Sequence, residues 1–158
     1  MTYDDIILLL SDSDGNKRAQ AAEQLGKLGD ARAVANLIDA MKDPDLVVRD
    51  NAAFALAELR ARKAAPGIIE LLGDPSYTVR KSAAKALGIL RASEAVPPLI
   101  TALSDFSYLV RRSAARSLGQ IGDSRALAAL HTAQNADPQS PLAEFARKAI
   151  ERIEEMRI

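Results

Sequence analysis

The chain of 158 residues carries 21 basic and 21 acidic side chains and no cysteine, which excludes disulfides, thiolate metal sites and a cysteine nucleophile. Its 48% apolar and 27% charged content belongs to a packed domain and excludes a disordered chain. The zero net charge hides a gradient: residues 1–79 hold 9 Lys/Arg against 13 Asp/Glu, and residues 80–158 hold 12 against 8.

A first helix is expected over about 3–11. Its apolar run, Ile6 to Leu10, is too short for a signal-peptide core and follows Asp4 and Asp5, where a signal would be basic. No later stretch approaches membrane-spanning length, so a cytoplasmic chain with no membrane partner is expected. The next helix, about 15–29, carries Arg18, then Ala21-Ala22 and Leu25. That set returns every 31 residues: Arg49, Ala52-Ala53 and Leu56 over about 46–60; Arg80, Ala83-Ala84 and Leu87 over 77–91; Arg111, Ala114-Ala115 and Leu118 over 108–122. Because Val48, Val79 and Val110 precede the later arginines, we call these the Val-Arg helices. A last one, about 141–157, aligns only with a shift of 32, since the linker Asn135 to Gln139 is one residue longer.

Partner helices are expected over about 31–42, 63–73, 94–104 and 125–135. The first shows the helical stripe Val34, Leu37, Ile38 and Met41. Each unit is therefore a helical hairpin, and a hairpin of this size buries its stripe only by stacking on the next. The expected organisation is one domain, 1–158, of five hairpins: 1–29, 30–60, 61–91, 92–122 and 123–158.

Asp45, Ser76, Ser107 and Ser140 stand where a side-chain oxygen caps a Val-Arg helix, and Pro141 suits a first helical position. Gly29-Asp30 and Gly122-Asp123 read as tight turns between the two helices of a unit. The middle units read Arg60-Ala61 and Arg91-Ala92 there, and the glycine turn is expected to be lost. Pro66 and Pro97 should limit the start of their helices. Gly26, Gly88 and Gly119 recur at one helical position, where a small residue lets a neighbouring helix approach.

Asp12, Asp43, Asp74 and Asp105 each precede a ladder arginine, Arg18, Arg49, Arg80 or Arg111, by six residues. A repeated pairing of opposite charges is what stacking demands, so these eight residues are assigned to holding unit to unit. His131 is the only histidine. It takes the stripe position of Ile38, Ile69 and Ile100, which predicts partial burial and leaves no convergent ligand set for a metal. Tyr77 and Tyr108 share one position at a helix start, expected to pack on the adjoining turn, with edge contact to a partner as the alternative. No phosphate-binding glycine loop or nucleophile elbow is present, and neither a catalytic residue nor a cofactor is expected.

The run Asp-x5-Arg-x2-Ala-Ala-x2-Leu-Gly, read at Asp12 to Gly26 and followed by Gly29-Asp30-Ala31-Arg32-Ala33, resembles the HEAT-like repeat of the phycobilisome-lyase type. The resemblance covers nearly the whole chain and implies an all-α, right-handed α-solenoid. In such arrays the Val-Arg helix lines the concave face. Opposite the Ala52/Leu56 side, steps of 100° per residue place Asp50, Phe54 and Glu58 on the second Val-Arg helix. The matching positions are Glu23; Lys81, Lys85 and Ile89; Arg112, Arg116 and Gln120; then Lys148, flanked by Asn51 and Phe145. Phe54, Ile89 and Phe145 are large apolar groups where solvent is expected, ringed by charge as at a protein interface.

The chain is accordingly expected to be a monomeric, non-catalytic protein-interaction module gripping a protein partner on that face. The repeat type leaves two alternatives open. One is a phycobilin-lyase-type subunit or chaperone handling a bilin or phycobiliprotein. The other is an engineered HEAT-like binding scaffold, against which the uneven repeats weigh. Deoxyhypusine hydroxylase shares the repeat but places His-Glu pairs on two irons, and here Thr132 follows the lone His131. Zero net charge, and a basic patch without interleaved aromatics, argue against nucleic acid.

Overall fold

A computed structural model describes all 158 residues. It is an all-helical solenoid of α1 (Tyr3–Leu9), α2 (Gly15–Leu28), α3 (Val34–Ala40), α4 (Leu46–Glu58), α5 (Ala65–Glu70), α6 (Tyr77–Ile89), α7 (Val96–Ala102), α8 (Tyr108–Ile121), α9 (Leu127–Ala136) and α10 (Pro141–Glu155). The even-numbered helices are the Val-Arg helices, and they pack in order, α2 on α4, α4 on α6, α6 on α8 and α8 on α10. Each odd-numbered helix packs on the Val-Arg helix that follows it.

The repeating residues explain this layer. Ala21, Ala22 and Leu25 are fully buried, and so are their counterparts Ala52, Ala53 and Leu56, then Ala83, Ala84 and Leu87, then Ala114, Ala115 and Leu118. Two adjacent alanines let both flanks of a Val-Arg helix come close to neighbours, while each sealed leucine contributes about 2 kcal/mol. Glycine brings the backbones closer still: a Cβ on Gly26 would sit 2.8 Å from the Cα of Ala55, and one on Gly119 would sit 2.9 Å from that of Ala149. In α10 the second alanine position is taken by Arg147, which is exposed and paired with Glu144 and Glu151. This flank of α10 meets water and carries charge instead of a second alanine.

The partner helices are shorter than the periodicity predicts. Those after the first unit open as 3-10 turns at Ala31–Ala33, Arg62–Ala64, Ser93–Ala95 and Ser124–Ala126. The Asp30 and Asp123 carboxylates cap two of these turns by accepting from the amides of Arg32 and Arg125, each at 2.9 Å. Pro66 and Pro97 lie in the first turns of α5 and α7, where no amide partner is needed.

Four expectations require correction. The inter-helix turn survives without glycine: Arg60 and Arg91 take the left-handed backbone, φ 53° and 49°, that Gly29 and Gly122 take at φ 73° and 77°. The stack imposes the turn, and the arginines adopt it at a conformational cost of about 1 kcal/mol. Asp45 and Ser140 cap their helices, but Ser76 and Ser107 do not; the Ser76 hydroxyl meets that of Thr78 at 2.7 Å. His131 is exposed, unlike half-buried Ile38, Ile69 and Ile100, as its imidazole tolerates water where isoleucine is better covered. Tyr77 is also exposed, at 49%.

Candidate functional site

Two sets of side chains occupy the Val-Arg layer, one at the helix starts and one at mid-helix. The first set is the arginine ladder. Arg18, Arg49, Arg80 and Arg111 each donate from Nη1 to the carbonyl of the aspartate six residues back, at 2.7–2.9 Å, stapling the turn that feeds their own helix. The other edge of the guanidinium reaches into the next unit. Nε and Nη2 of Arg18 bind both oxygens of Asp43 at 2.8 and 2.9 Å, Arg49 binds Asp74 at 2.7 and 3.0 Å, and Arg80 binds Asp105 at 2.8 and 3.0 Å. These are bidentate, charge-assisted pairs, the strongest geometry open to arginine.

The same aspartates accept the amides two residues on, from Asp45, Ser76 and Ser107, at 2.8–2.9 Å. The Arg18 and Arg80 forks hold Asp43 and Asp105 below the usual carboxylate range. Burial pushes Asp74 up, but the bonds from Arg49 and the Ser76 amide outweigh it, and this carboxylate also sits low. Asp12 and Arg111 close no such rung. Asp12 heads the ladder and pairs with Lys17 at 3.3 Å, and Arg111 has no carboxylate on its outer edge.

The mid-helix set looks different. Within α6 only Tyr77 and Lys85 are exposed, and within α8 only Arg116. Lys85 and Arg116 align with the exposed Glu23, Phe54 and Lys148 at the equivalent position of the other Val-Arg helices, forming the column Glu23, Phe54, Lys85, Arg116, Lys148. Phe54 is 42% exposed. Asp50, Lys81 and Arg112 lie half-buried one turn earlier; one turn later Glu58 is exposed, and Ile89 and Gln120 are half-buried.

Internal neutralisation is uneven along this column. Glu23 pairs with Lys27, and Lys148 with Glu144 at 3.1 Å. Lys81, Lys85, Arg112 and Arg116 form no ion pair. Arg112 instead lies over the Phe145 ring, 5.7 Å from its centre. One oxygen of Asp50 is sealed from solvent without a hydrogen-bond partner. Between α8 and α10 a cleft of about 430 Å³ is lined by Arg116, Gln120, Phe145, Lys148 and Arg152, among others.

Three residues expected to face a partner are engaged inside the fold. Asn51 donates to the Ala19 carbonyl at 2.9 Å, tying α4 to α2. Ile89 and Phe145 pack against the core: beside Ile89 the close approach at Gly88 brings α8 near, and Arg112 covers Phe145. Phe54 alone of the three apolar groups stands open. Two clusters escaped the sequence reading, the cleft beneath Arg111 and the exposed apolar residues Leu46 and Val47 at the start of α4.

The family model for HEAT repeats matches residues 4–72 and 65–151. The chain belongs to the HEAT-repeat family. Among solved structures, this HEAT-repeat chain is similar to the complex of CpcE and CpcF of phycocyanin lyase from Nostoc sp. PCC7120, at 30% identity and a TM-score of 0.87. The match covers 98% of this chain and 66% of that one, so its repeats are of the phycobilisome-lyase type. A designed armadillo repeat protein in complex with the peptide (KR)4 matches at 23% identity and TM-score 0.75, over 94% of this chain and 80% of that one. Human deoxyhypusine hydroxylase in complex with glycerol matches at 22% and 0.54, over 97% and 74%. These last two share the fold alone. No curated protein matches the chain. No helix is long and apolar enough to cross a membrane, and no three His, Cys, Asp or Glu side chains converge as metal ligands would.

Proposed function

We propose that this HEAT-repeat chain is a non-catalytic binding module that grips a protein segment along the column Glu23, Phe54, Lys85, Arg116 and Lys148, on the concave side of the solenoid. The observation that carries this reading is the set of four cations, Lys81, Lys85, Arg112 and Arg116, left without an internal counter-charge beside an open phenylalanine. Unpaired cations around an apolar anchor favour an acidic, partly apolar segment, with Phe54 as anchor and the cations as steering rim. Glu23 and Glu58 at the other end set the direction in which the segment lies. The test is capture of partner by the intact protein and by Lys85→Glu/Arg116→Glu. Capture should fall by at least about tenfold with unchanged melting, and capture at the parental level refutes the reading.

A second reading is favoured by the 30% identity to the phycocyanin lyase complex. Here the chain serves a bilin or phycobiliprotein, with the cleft between α8 and α10 presenting Arg116, Lys148 and Arg152 to carboxylates. Mixing with a linear tetrapyrrole should then shift its visible absorption band, and an unshifted spectrum counts against this reading by excluding direct bilin binding.

A further inference from the structure

The fourth ladder arginine is oriented like the other three but grips nothing. Arg111 Nη1 makes the same staple, to the carbonyls of Asp105 and Phe106 at 2.7 and 3.1 Å. In Arg18, Arg49 and Arg80 the remaining edge, Nε with Nη2, holds a carboxylate. The residue that should fill this place for Arg111 is Asp137, the ladder position shifted by the longer last linker. It is exposed, and its Oδ1 accepts instead from the Gln139 amide at 3.2 Å. The Arg111 fork opens on a cleft of about 500 Å³ walled by Tyr108, Ala133, Ala136, Pro141 and Leu142, with Asp137 also on its margin. The guanidinium lies over the Tyr108 ring, 5.8 Å from its centre.

We infer that this fork is a carboxylate receptor, and that its ligand is an acidic side chain of a partner segment with an apolar residue beside it. The molecule displays the recognition chemistry three times internally. A guanidinium fixed by its Nη1 staple presents two parallel donors, and each sibling takes an aspartate, Asp43, Asp74 or Asp105, from the turn that leads into the next Val-Arg helix. The staple has already restricted the arginine, so little further side-chain freedom is lost on capture. The walls contributed by Tyr108, Ala133, Ala136 and Leu142 favour an apolar neighbour and lower the local dielectric, which strengthens the pair. Asp137 stays compatible only while turned toward the Gln139 amide, so its own carboxylate is the competitor to exclude. The surface lies at the helix starts, apart from the mid-helix column, and each can fail without the other.

The probe is the peptide acetyl-Leu-Ser-Asp-Phe-Ser-amide, a copy of residues 103–107, titrated into the full chain while the arginine Nε–H resonances are followed by NMR. The Arg111 resonance should shift saturably, while those of Arg18, Arg49 and Arg80 stay in place as internal controls. The counterpart with asparagine for aspartate should bind at least about tenfold more weakly, and so should the aspartate peptide to Arg111→Lys, whose ammonium lacks the fork. The acid-against-amide comparison on the unmodified chain needs no variant to fold. Equal binding of the asparagine peptide, or undiminished binding by a folded Arg111→Lys, overturns the inference. So does a tenfold gain in Asp137→Asn, which shows that Asp137 occupies the fork in solution. Binding of 3-phenylpropanoate without the peptide overturns the partner segment in favour of a small apolar acid.

Discussion

The ladder at the helix starts occupies four of the five helices that carry the mid-helix column, yet the two treat sequence in opposite ways. At the ladder, arginine and aspartate recur through four units, and three rungs close with nearly the same bond lengths. Along the column, the equivalent position changes from Glu23 to Phe54 to Lys85, Arg116 and Lys148. A contact that joins one unit to the next must be the same in each, whereas a surface that meets an irregular partner has no reason to repeat. The difference separates residues that hold the stack from residues that are free to specify what it binds.

Breaking a rung gives the largest expected effect. Arg49→Ala removes two charge-assisted bonds to Asp74 and two to backbone carbonyls, and leaves a carboxylate with little access to water. A loss of about 2–4 kcal/mol is expected, or roughly 5–15 °C in melting temperature for a chain of this size. Arg111→Ala, which closes no rung, should cost clearly less. Equal losses in denaturant titrations of the two variants would show that the backbone staple, not the rung, holds the units together.

Acid probes all three rungs together. Asp43, Asp74 and Asp105 have folded-state pKa values below the ordinary carboxylate value. Their contribution to stability is therefore present above about pH 4, the unfolded range, and is lost as pH falls through the lower folded values. Melting temperature should drop below about pH 4, and the triple variant Asp43→Asn/Asp74→Asn/Asp105→Asn should be less stable near neutrality with a flatter acid limb. An unchanged acid limb in the triple variant would place acid sensitivity elsewhere.

At the column the effect should be on binding alone. Lys85→Glu/Arg116→Glu replaces two exposed, unpaired cations, so stability should change by no more than about 0.5 kcal/mol. Phe54→Ala should weaken capture while leaving melting within a few degrees. A destabilised Phe54→Ala would mean that this ring belongs to the packing rather than to the contact surface.

The solenoid was legible because its signal is repeated: arginine, paired alanines and leucine at one period leave little choice but stacked hairpins. The rung partners were not. An arginine six residues after one ladder aspartate stands 25 before the next, so both pairings share one periodicity; in the fold the carboxylate comes from the following unit and only a carbonyl from the preceding aspartate. Exposure on the column was legible for Phe54, Lys85 and Arg116, whose direction follows from the helix alone. It was not for Ile89, Phe145 or His131, whose burial depends on how near a neighbouring helix comes.

The smallest effect lies in the turns, where the repeat tolerates a break in its own pattern. Arg60 and Arg91 hold a left-handed backbone that costs an L-residue about 1 kcal/mol and glycine almost nothing. Arg60 has a return on that conformation, since Nη1 donates to the Ile89 carbonyl at 2.9 Å and so caps the end of α6 from the preceding unit. Arg91 makes no side-chain bond of this kind. Arg91→Gly should therefore raise the melting temperature by about 2–4 °C, while Arg60→Gly should be close to neutral, the relief of backbone strain offset by a lost hydrogen bond of about 1 kcal/mol. Equal gains from both would mean that the Arg60 bond contributes nothing. A loss at Arg91 would mean that its guanidinium stabilises the turn by a contact in solution, placing this arginine with the stack-holding set.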